Sequence, residues 1–397
     1  MDMFRRLRRF VVRAWEPAAG YATGLAFAGF LLLFQLHSLV PGLSKGEVDA
    51  LQQSRDWHTI LNAPVNAPHK VLGLTLAKLD MLNPFALRGV SVFIALLAVA
   101  AFYYVLARWH TSRIALLGTT LLVTSSWFLH YARIATPDIL LPTALLLALV
   151  YGTWIRQTNK SDVAVISGFV LAATLLYLPG FIWFVLLGAF WQRKAVTKHL
   201  RQSRITSVYI AIVLGAVLVV PLSYAVYHNP EQLNALAGFP TRLPTLTTYA
   251  MNLLEIPVQL FLRGAANNEL ALGRLPLLDI FTTAMSFLGI YAYFYRRKLD
   301  RTKMLIGTTV MGSLLIALEG PVTIILLLPI LYILAAAGMT LMLQQWFTVF
   351  PRNPLANVIG TSLISIAVIL TAFYHVNHYY IAWPNAPETK RVFQLRP

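Results

Sequence analysis

Two short acidic stretches carry most of the chemistry this chain can offer. The first is Leu43-Ser44-Lys45-Gly46-Glu47-Val48-Asp49 and the second is Arg133-Ile134-Ala135-Thr136-Pro137-Asp138. Only 15 of 397 residues are Asp or Glu, so the placement of each is informative. A carboxylate held at a membrane interface has its pKa raised by partial burial and can serve as a general base. Glu47 and Asp49 are the catalytic candidates on that ground, although both also suit the capping of a short helix near Val48. In the second stretch Thr136 suits an N-cap, Pro137 a first helical turn and Asp138 a helix N-terminus, while Arg133 could snorkel. The same six residues also offer a second carboxylate and a cation for phosphate.

Other groups are weaker. His69 and Lys70 follow the Asn66-Ala67-Pro68 turn and place an imidazole and an ammonium near the same interface. His375 and His378 stand one helical turn apart, a spacing compatible with a metal and equally with two interfacial histidines. Glu319 occupies a short turn that needs a polar group in any case. The chain has no phosphate-binding Gly-x-x-x-x-Gly-Lys-Ser/Thr loop, no His-Glu-x-x-His and no Gly-x-Ser-x-Gly. With no cysteine, thiolate chemistry and disulfides are excluded.

The elements that must hold these groups are membrane helices. The chain is 58% hydrophobic and 12% charged, with mean hydropathy +0.66, about half the charge of a soluble domain. Successive apolar runs predict about eleven transmembrane helices in a single all-α domain over 1–397, each satisfying its own backbone. Two long polar sections interrupt them. Residues 43–85 form a first loop with interfacial helices, including one from Lys70 to Leu82. Residues 228–275 form a second, with an amphipathic piece around Leu246 to Leu262 that could cover a site as a lid. The basic start, 1–17, reads as the cytoplasmic flank of an uncleaved anchor. From it, 20 of the 32 Lys and Arg fall in the short cytoplasmic segments, the positive-inside pattern. The net charge of +17 therefore speaks for topology and not for nucleic acid. The C-terminus is expected outside, and 11 of the 15 acidic residues fall on the outer side. Mid-depth ionisable residues are scarce, which disfavours a secondary transporter and suits a lipid-linked substrate whose head group lies at the surface.

Over residues 40–155 the order of these pieces resembles the GT-C superfamily of integral-membrane glycosyltransferases, in the branch of protein O-mannosyltransferases and the aminoarabinose transferase of lipid A. The resemblance runs from the acidic first loop through Ala67-Pro68-His69, Leu87-Arg88 and a basic turn to Ser126-Trp127-Phe128-Leu129-His130-Tyr131-Ala132-Arg133 and Thr136-Pro137-Asp138. Tyr-Ala-Arg-x-x-x-Pro-Asp is its most specific element. The later chain agrees loosely, at Tyr177-Leu178-Pro179-Gly180 and Leu328-Pro329.

The resemblance implies a helical bundle that transfers a sugar from a polyprenyl-phosphate donor to a lipid, glycan or protein acceptor on the outer face of the plasma membrane. It matches Glu47 to the second acid of a catalytic pair, with Gly46 where the first would stand, so Glu47 or Asp49 would be the base of an inverting reaction. Asp138 matches an acid that orients the site or, together with Glu47, holds a divalent metal. Arg133 is the first candidate for the phosphate, with Lys45, His69, Lys70 and Arg263 behind it. Glu319-Gly320 stands where many relatives have a basic residue. That departure and Gly46 support an alternative, a non-enzymatic lipid-linked-sugar binder or flippase. A polymerase or ligase of the O-antigen kind, with pyrophosphate donors, is a further alternative.

Overall fold

Residues 21–264, 272–351 and 353–395 are described by the structure, a computed structural model, and every regular element among them is helical. The basic segment 1–17 and the first residues of the first span lie outside the described residues. Helix α1, Tyr21–Leu33, leads to the first loop, which holds α2 (Lys45–Gln53), α3 (Trp57–Asn62) and α4 (Ala67–Lys78). Then come α5 (Pro84–Trp109), α6 (Ser112–Thr124), α7 (Ser126–Arg133), a 3-10 turn at Pro137–Ile139, α8 (Leu140–Trp154), α9 (Ser161–Leu175), α10 (Phe181–Gln202) and α11 (Ile205–His228). The second polar section contains α12 (Glu231–Ala237) and α13 (Leu246–Phe261), the latter on the amphipathic piece expected there. The chain ends with α14 (Ile280–Tyr295), α15 (Asp300–Ile316), a 3-10 turn at Ile324–Leu327, α16 (Leu328–Val349), α17 (Pro354–Asn377), a π turn at His378–Ala382, α18 (Trp383–Asn385) and α19 (Pro387–Val392).

Five helical segments among the described residues are long and apolar enough to cross a bilayer alone, and six if the bent pair α6–α7 counts as one. Three more apolar helices, α1, α9 and α14, are shorter. The 62° bend between α6 and α7 sits at Ser125, which caps the end of one helix in an extended conformation and accepts the Phe128 N–H of the next at 3.1 Å. A serine pair that spends its hydroxyl on backbone is a recognised source of a sharp kink. Four residues past the end of α7, Pro137 forces Thr136 into an extended conformation (φ −111°, ψ 154°) and separates α7 from α8.

The segment Ile324–Val349 is the central post, 83% buried, whereas α11 is 11% buried and turns its apolar side outward. Lipid accepts such a face as readily as another helix does, so helix association must come from close fit. The fit is tightest between α14 and α16. A Cβ built on Gly289 would lie 1.9 Å from the Leu334 carbonyl oxygen, and one on Gly338 1.9 Å from that of Met285. The absent side chains let the two backbones touch.

At one end of the bundle the loops interlock. Gly180 and Gly238, both with positive φ, meet so closely that a Cβ on Gly238 would stand 2.9 Å from the Gly180 Cα, and Gly320 abuts the Gly238 carbonyl. Gly180 N–H donates to Leu236 O at 2.9 Å, and the Trp183 indole donates to Ala237 O at 2.9 Å. The described part of the second polar section is thereby anchored to the α9–α10 hairpin. The C-terminal tail returns to the same end as the first loop, where Leu43 and Leu395 pair as an antiparallel bridge.

Gly338→Ala is expected to lower thermal stability in detergent by the roughly 1–3 kcal/mol of an overpacked contact, because a main-chain carbonyl cannot step aside. Gly89→Ala, where nothing lies within 4 Å of the added carbon, should leave the melting temperature unchanged or higher. Equal melting of the two variants would contradict the close helix contact.

Candidate active site at the loop end of the bundle

The turn between α7 and α8, residues 134–138, is where the first loop, α5 and the C-terminal helices converge. Its main anchor is Glu47. Ser44 starts α2 with a reciprocal capping box, accepting the Glu47 N–H at 3.3 Å while its own N–H donates to Glu47 Oε2 at 3.0 Å. The cap orients the carboxylate inward, where it is 1% exposed. There Arg88, on the second turn of α5, donates from Nε to Oε1 at 2.7 Å and from Nη2 to Oε2 at 3.0 Å. The Ala135 N–H of the turn also donates to Oε1, at 3.0 Å. Arg88 spends its remaining donors on Leu36 O (3.2 Å) and Gly42 O (3.0 Å). One buried ion pair thus joins the end of the first span, the first loop, α5 and the turn before Asp138.

Further donors brace the turn. His69, 1% exposed on α4, bonds Ser91 Oγ through Nε2 at 3.2 Å, and Ser91 Oγ reaches Thr136 O at 3.5 Å. Arg133 is 3% exposed and lies over the rings of Tyr379 and Tyr380, 5.4 and 4.7 Å from their centroids. Its Nη1 donates to the Tyr380 hydroxyl and to Leu31 O, while Nε and Nη2 are buried without a partner among the described residues. Asp138, half-buried at the first helical position after Pro137, is close enough to Tyr131 to interact with it electrostatically. The second polar section reaches this region too, with Gly264 against the ring of Trp127 and the Trp127 indole donating to Pro276 O at 3.0 Å.

The expected residues therefore separate. Glu47, Arg133, His69 and the turn bearing Asp138 are brought together. Asp49 is not: two residues along α2 it sits about 200° around the helix from Glu47, exposed, with no side-chain partner among the described residues. Lys45 and Arg263 are also exposed. Lys70 is buried but gives its ammonium to Ala63 O at 2.6 Å, and burial brings its pKa down to about 8. His69 has its pKa brought down to about 4 by burial and by the neighbouring Lys70, so near neutral pH it is an uncharged hydrogen-bonding group and supplies no cation.

A divalent ion does not fit Glu47. Both its oxygens face N–H donors of Arg88, Ser44 and Ala135, and no three His, Asp or Glu among the described residues are grouped to hold a metal. The His375–His378 pair is used otherwise. His375 Nε2 meets Asp279 Oδ2 at 3.1 Å and its Nδ1 meets Ser126 Oγ at 3.0 Å. The Ser126 hydroxyl is fully buried and also reaches the His375 carbonyl at 3.1 Å, so this Ser–His–Asp chain clamps α7, α14 and α17 together. Asp279 also caps α14, accepting from Thr282 N and Thr282 Oγ1 at 3.0 and 2.5 Å. Burial pushes its carboxyl up, but the His375 and Thr282 donors outweigh it and leave the pKa below the usual value.

Sequence reasoning missed the partners: Arg88, Ser91, Tyr380 and the Asp279–His375 contact. Arg88 carried a usable signal, since an arginine one turn into an apolar helix demands a buried acceptor. Tyr380 and Asp279 lie far along the chain, and nothing in their own neighbourhoods points to α7.

The His69 shift has a consequence for stability. Its folded pKa lies below the unfolded 6.5, so the folded state binds fewer protons in that window. Stability should be full above about pH 6.5 and fall as pH drops toward 4, by up to roughly 3 kcal/mol from this group. Melting curves of wild type and His69→Gln across that range test it, and an unchanged slope in the variant would contradict the assignment.

No family model matches the sequence, and no curated protein sequence does. Solved structures do match. The ArnT of Cupriavidus metallidurans in its apo state superposes with a TM-score of 0.58 at 13% identity, over 95% of this chain and 78% of that one. The same enzyme bound to undecaprenyl phosphate gives 0.53 at 14% identity, over 94% and 77%. The Archaeoglobus fulgidus oligosaccharyltransferase tethered to an acceptor peptide gives 0.52 at 13% identity, over 97% of this chain and 60% of its own longer chain. Across nearly its whole length this chain has the fold of these solved structures.

Proposed function

We propose that the protein is a multi-pass membrane glycosyltransferase that takes its sugar from a polyprenyl-phosphate donor and works at the loop end of the bundle. The observation that carries this reading is the braced turn before Asp138. Within one six-residue stretch it joins a half-buried carboxylate to a buried guanidinium that has two unpartnered nitrogens and no carboxylate of its own. The GT-C fold supports it, as do the undecaprenyl phosphate bound to one of the similar structures and the dolichol-phosphate bound to another. The positive-inside distribution supports an outer-face location for this end.

In the proposed reaction the acceptor hydroxyl oxygen attacks the anomeric carbon as the bond to the phosphate oxygen breaks, with inversion. Asp138 takes the hydroxyl proton. Arg133 faces the negative charge that grows on the leaving polyprenyl phosphate, in a buried setting where such a charge is felt strongly. Glu47 is a positioning residue, because its oxygens are already engaged by Arg88, Ser44 and Ala135. Asp49 faces away from the turn and is assigned no part in the reaction. The second polar section, resting on Trp127, acts as the cover.

Purified protein given labelled polyprenyl-phosphate sugar and a membrane acceptor should release polyprenyl phosphate. Asp138→Asn should cut the rate by about 10²–10⁴-fold, the usual share of a general base, with unchanged melting, whereas Asp49→Asn should stay within a few fold. Full activity of Asp138→Asn with loss in Asp49→Asn would overturn the assignment. Gly46 favours one second reading, a lipid-linked-sugar carrier without chemistry. Movement of intact donor across vesicles without release of polyprenyl phosphate would establish that reading instead.

A further inference from the structure

At the opposite end of the bundle, where α5 and α14 finish and α15 starts, lies a cavity of about 300 Å³. Its polar lining comes from His110, Tyr293, Arg296, Arg301, Thr340 and Gln344, and none of the residues around it is Asp or Glu. Among the described residues, two buried polar atoms on its wall have no partner: the Tyr293 hydroxyl, on a residue 6% exposed, and His110 Nε2. The His110 ring is held in place from its other side, Nδ1 meeting Thr340 Oγ1 at 3.0 Å. Arg301 lies over the Tyr293 ring, 5.9 Å from its centroid, and commits Nη1 to Trp109 O at 3.2 Å, which leaves its other N–H groups uncommitted. Arg296 is exposed at the rim with no side-chain bond among the described residues. The nearest acid in sequence, Asp300, is taken by Arg156 at 2.5 Å.

Leaving a buried hydroxyl and imidazole unmatched costs more than an ordinary hydrogen bond returns, and two arginines without a carboxylate raise the local potential further. Burial together with Arg301 and Arg296 brings the His110 pKa down to about 4, as expected of an imidazole in a positive field. A tetrahedral oxyanion answers these groups: its oxygens accept from guanidinium and hydroxyl, and from His110 Nε2–H once the ring takes a proton, since Nδ1–H already faces Thr340 Oγ1, whose own hydrogen goes to Ala336 O at 2.8 Å. Tyr291, Tyr295 and Leu341 add an apolar and aromatic side to the same cavity, suited to the glycerol and upper acyl region of a lipid.

We propose that this cavity binds a phosphate monoester or inorganic phosphate, held by Arg296, Arg301, His110 and Tyr293, at the end of the bundle remote from Asp138. A phosphate-headed lipid of the adjoining leaflet and free phosphate share that chemistry. The site is independent of the transferase reading.

Full-length protein in nanodiscs containing dioleoyl phosphatidic acid or only dioleoyl phosphatidylcholine, and detergent-solubilised protein titrated with inorganic phosphate, separate the sources. Native mass spectrometry should show retained phosphatidic acid if the source is lipid, or saturable thermal stabilisation by phosphate if it is the free ion. Arg296→Gln, a change at the exposed rim that leaves the fold intact, should weaken either by about tenfold, as should Arg301→Gln, while Arg301→Lys keeps part of the binding. The bound form should also show His110 titrating at higher pH by NMR. Failure of the wild type to bind either ligand, or equal binding by wild type and both glutamine variants, would overturn the proposal.

Discussion

The structure around the candidate site depends on one buried ion pair. Glu47 and Arg88 are both almost completely removed from solvent, at 1% and 5% exposure. Taking two charges out of water costs several kcal/mol per ion, repaid only when geometry and additional hydrogen bonds are good. Here they are: every guanidinium nitrogen of Arg88 is engaged, and the carboxylate collects two further backbone N–H groups. Such a pair adds modest net stability, yet removing one partner costs about 3–5 kcal/mol, a large part of the roughly 5–15 kcal/mol that holds a protein folded. Its value lies in specification. It leaves one arrangement of the first loop, α5 and the turn to Asp138.

That arrangement explains why the two ends of the molecule differ. Inside the bundle, association rests on shape, as where Gly289 and Gly338 bring backbones into contact. At the loop end it rests on polar groups working in chains, Glu47–Arg88 just past the C-terminal end of α7 and Asp279–His375–Ser126 at its N-terminal end. Both chains close on the same short segment, from Ser126 to Asp138. A segment held from both sides is a rigid platform, and a rigid platform is what a transfer reaction between two bound substrates needs.

Much of this was legible in the sequence. Hydropathy and the spacing of Lys and Arg delivered a helical membrane bundle with two long polar sections, and Pro137 with Thr136 marked the break before α8. The meeting of the two acidic stretches was expected and is found, through Ala135 and Glu47. The roles within them were harder to read. Glu47 and Asp49 look alike on the page, and only the face of α2 that packs inward separates them. His69 and Lys70 looked like cations, and burial makes His69 neutral. Arg88 was read with Leu87 as the entry to an apolar span and not as a partner of Glu47, and the orphaned groups near His110 come from helices that only the fold brings together.

The account stands or falls on whether the Glu47–Arg88 pair holds the turn before Asp138. Hydrogen exchange of the peptide spanning 133–138 measures that directly, compared among wild type, Glu47→Gln, Arg88→Met and the double variant. The account predicts strong protection in wild type, its loss to a similar degree in each single variant, and little further loss in the double one. Protection that is unchanged in the single variants, or losses that simply add in the double, would contradict it.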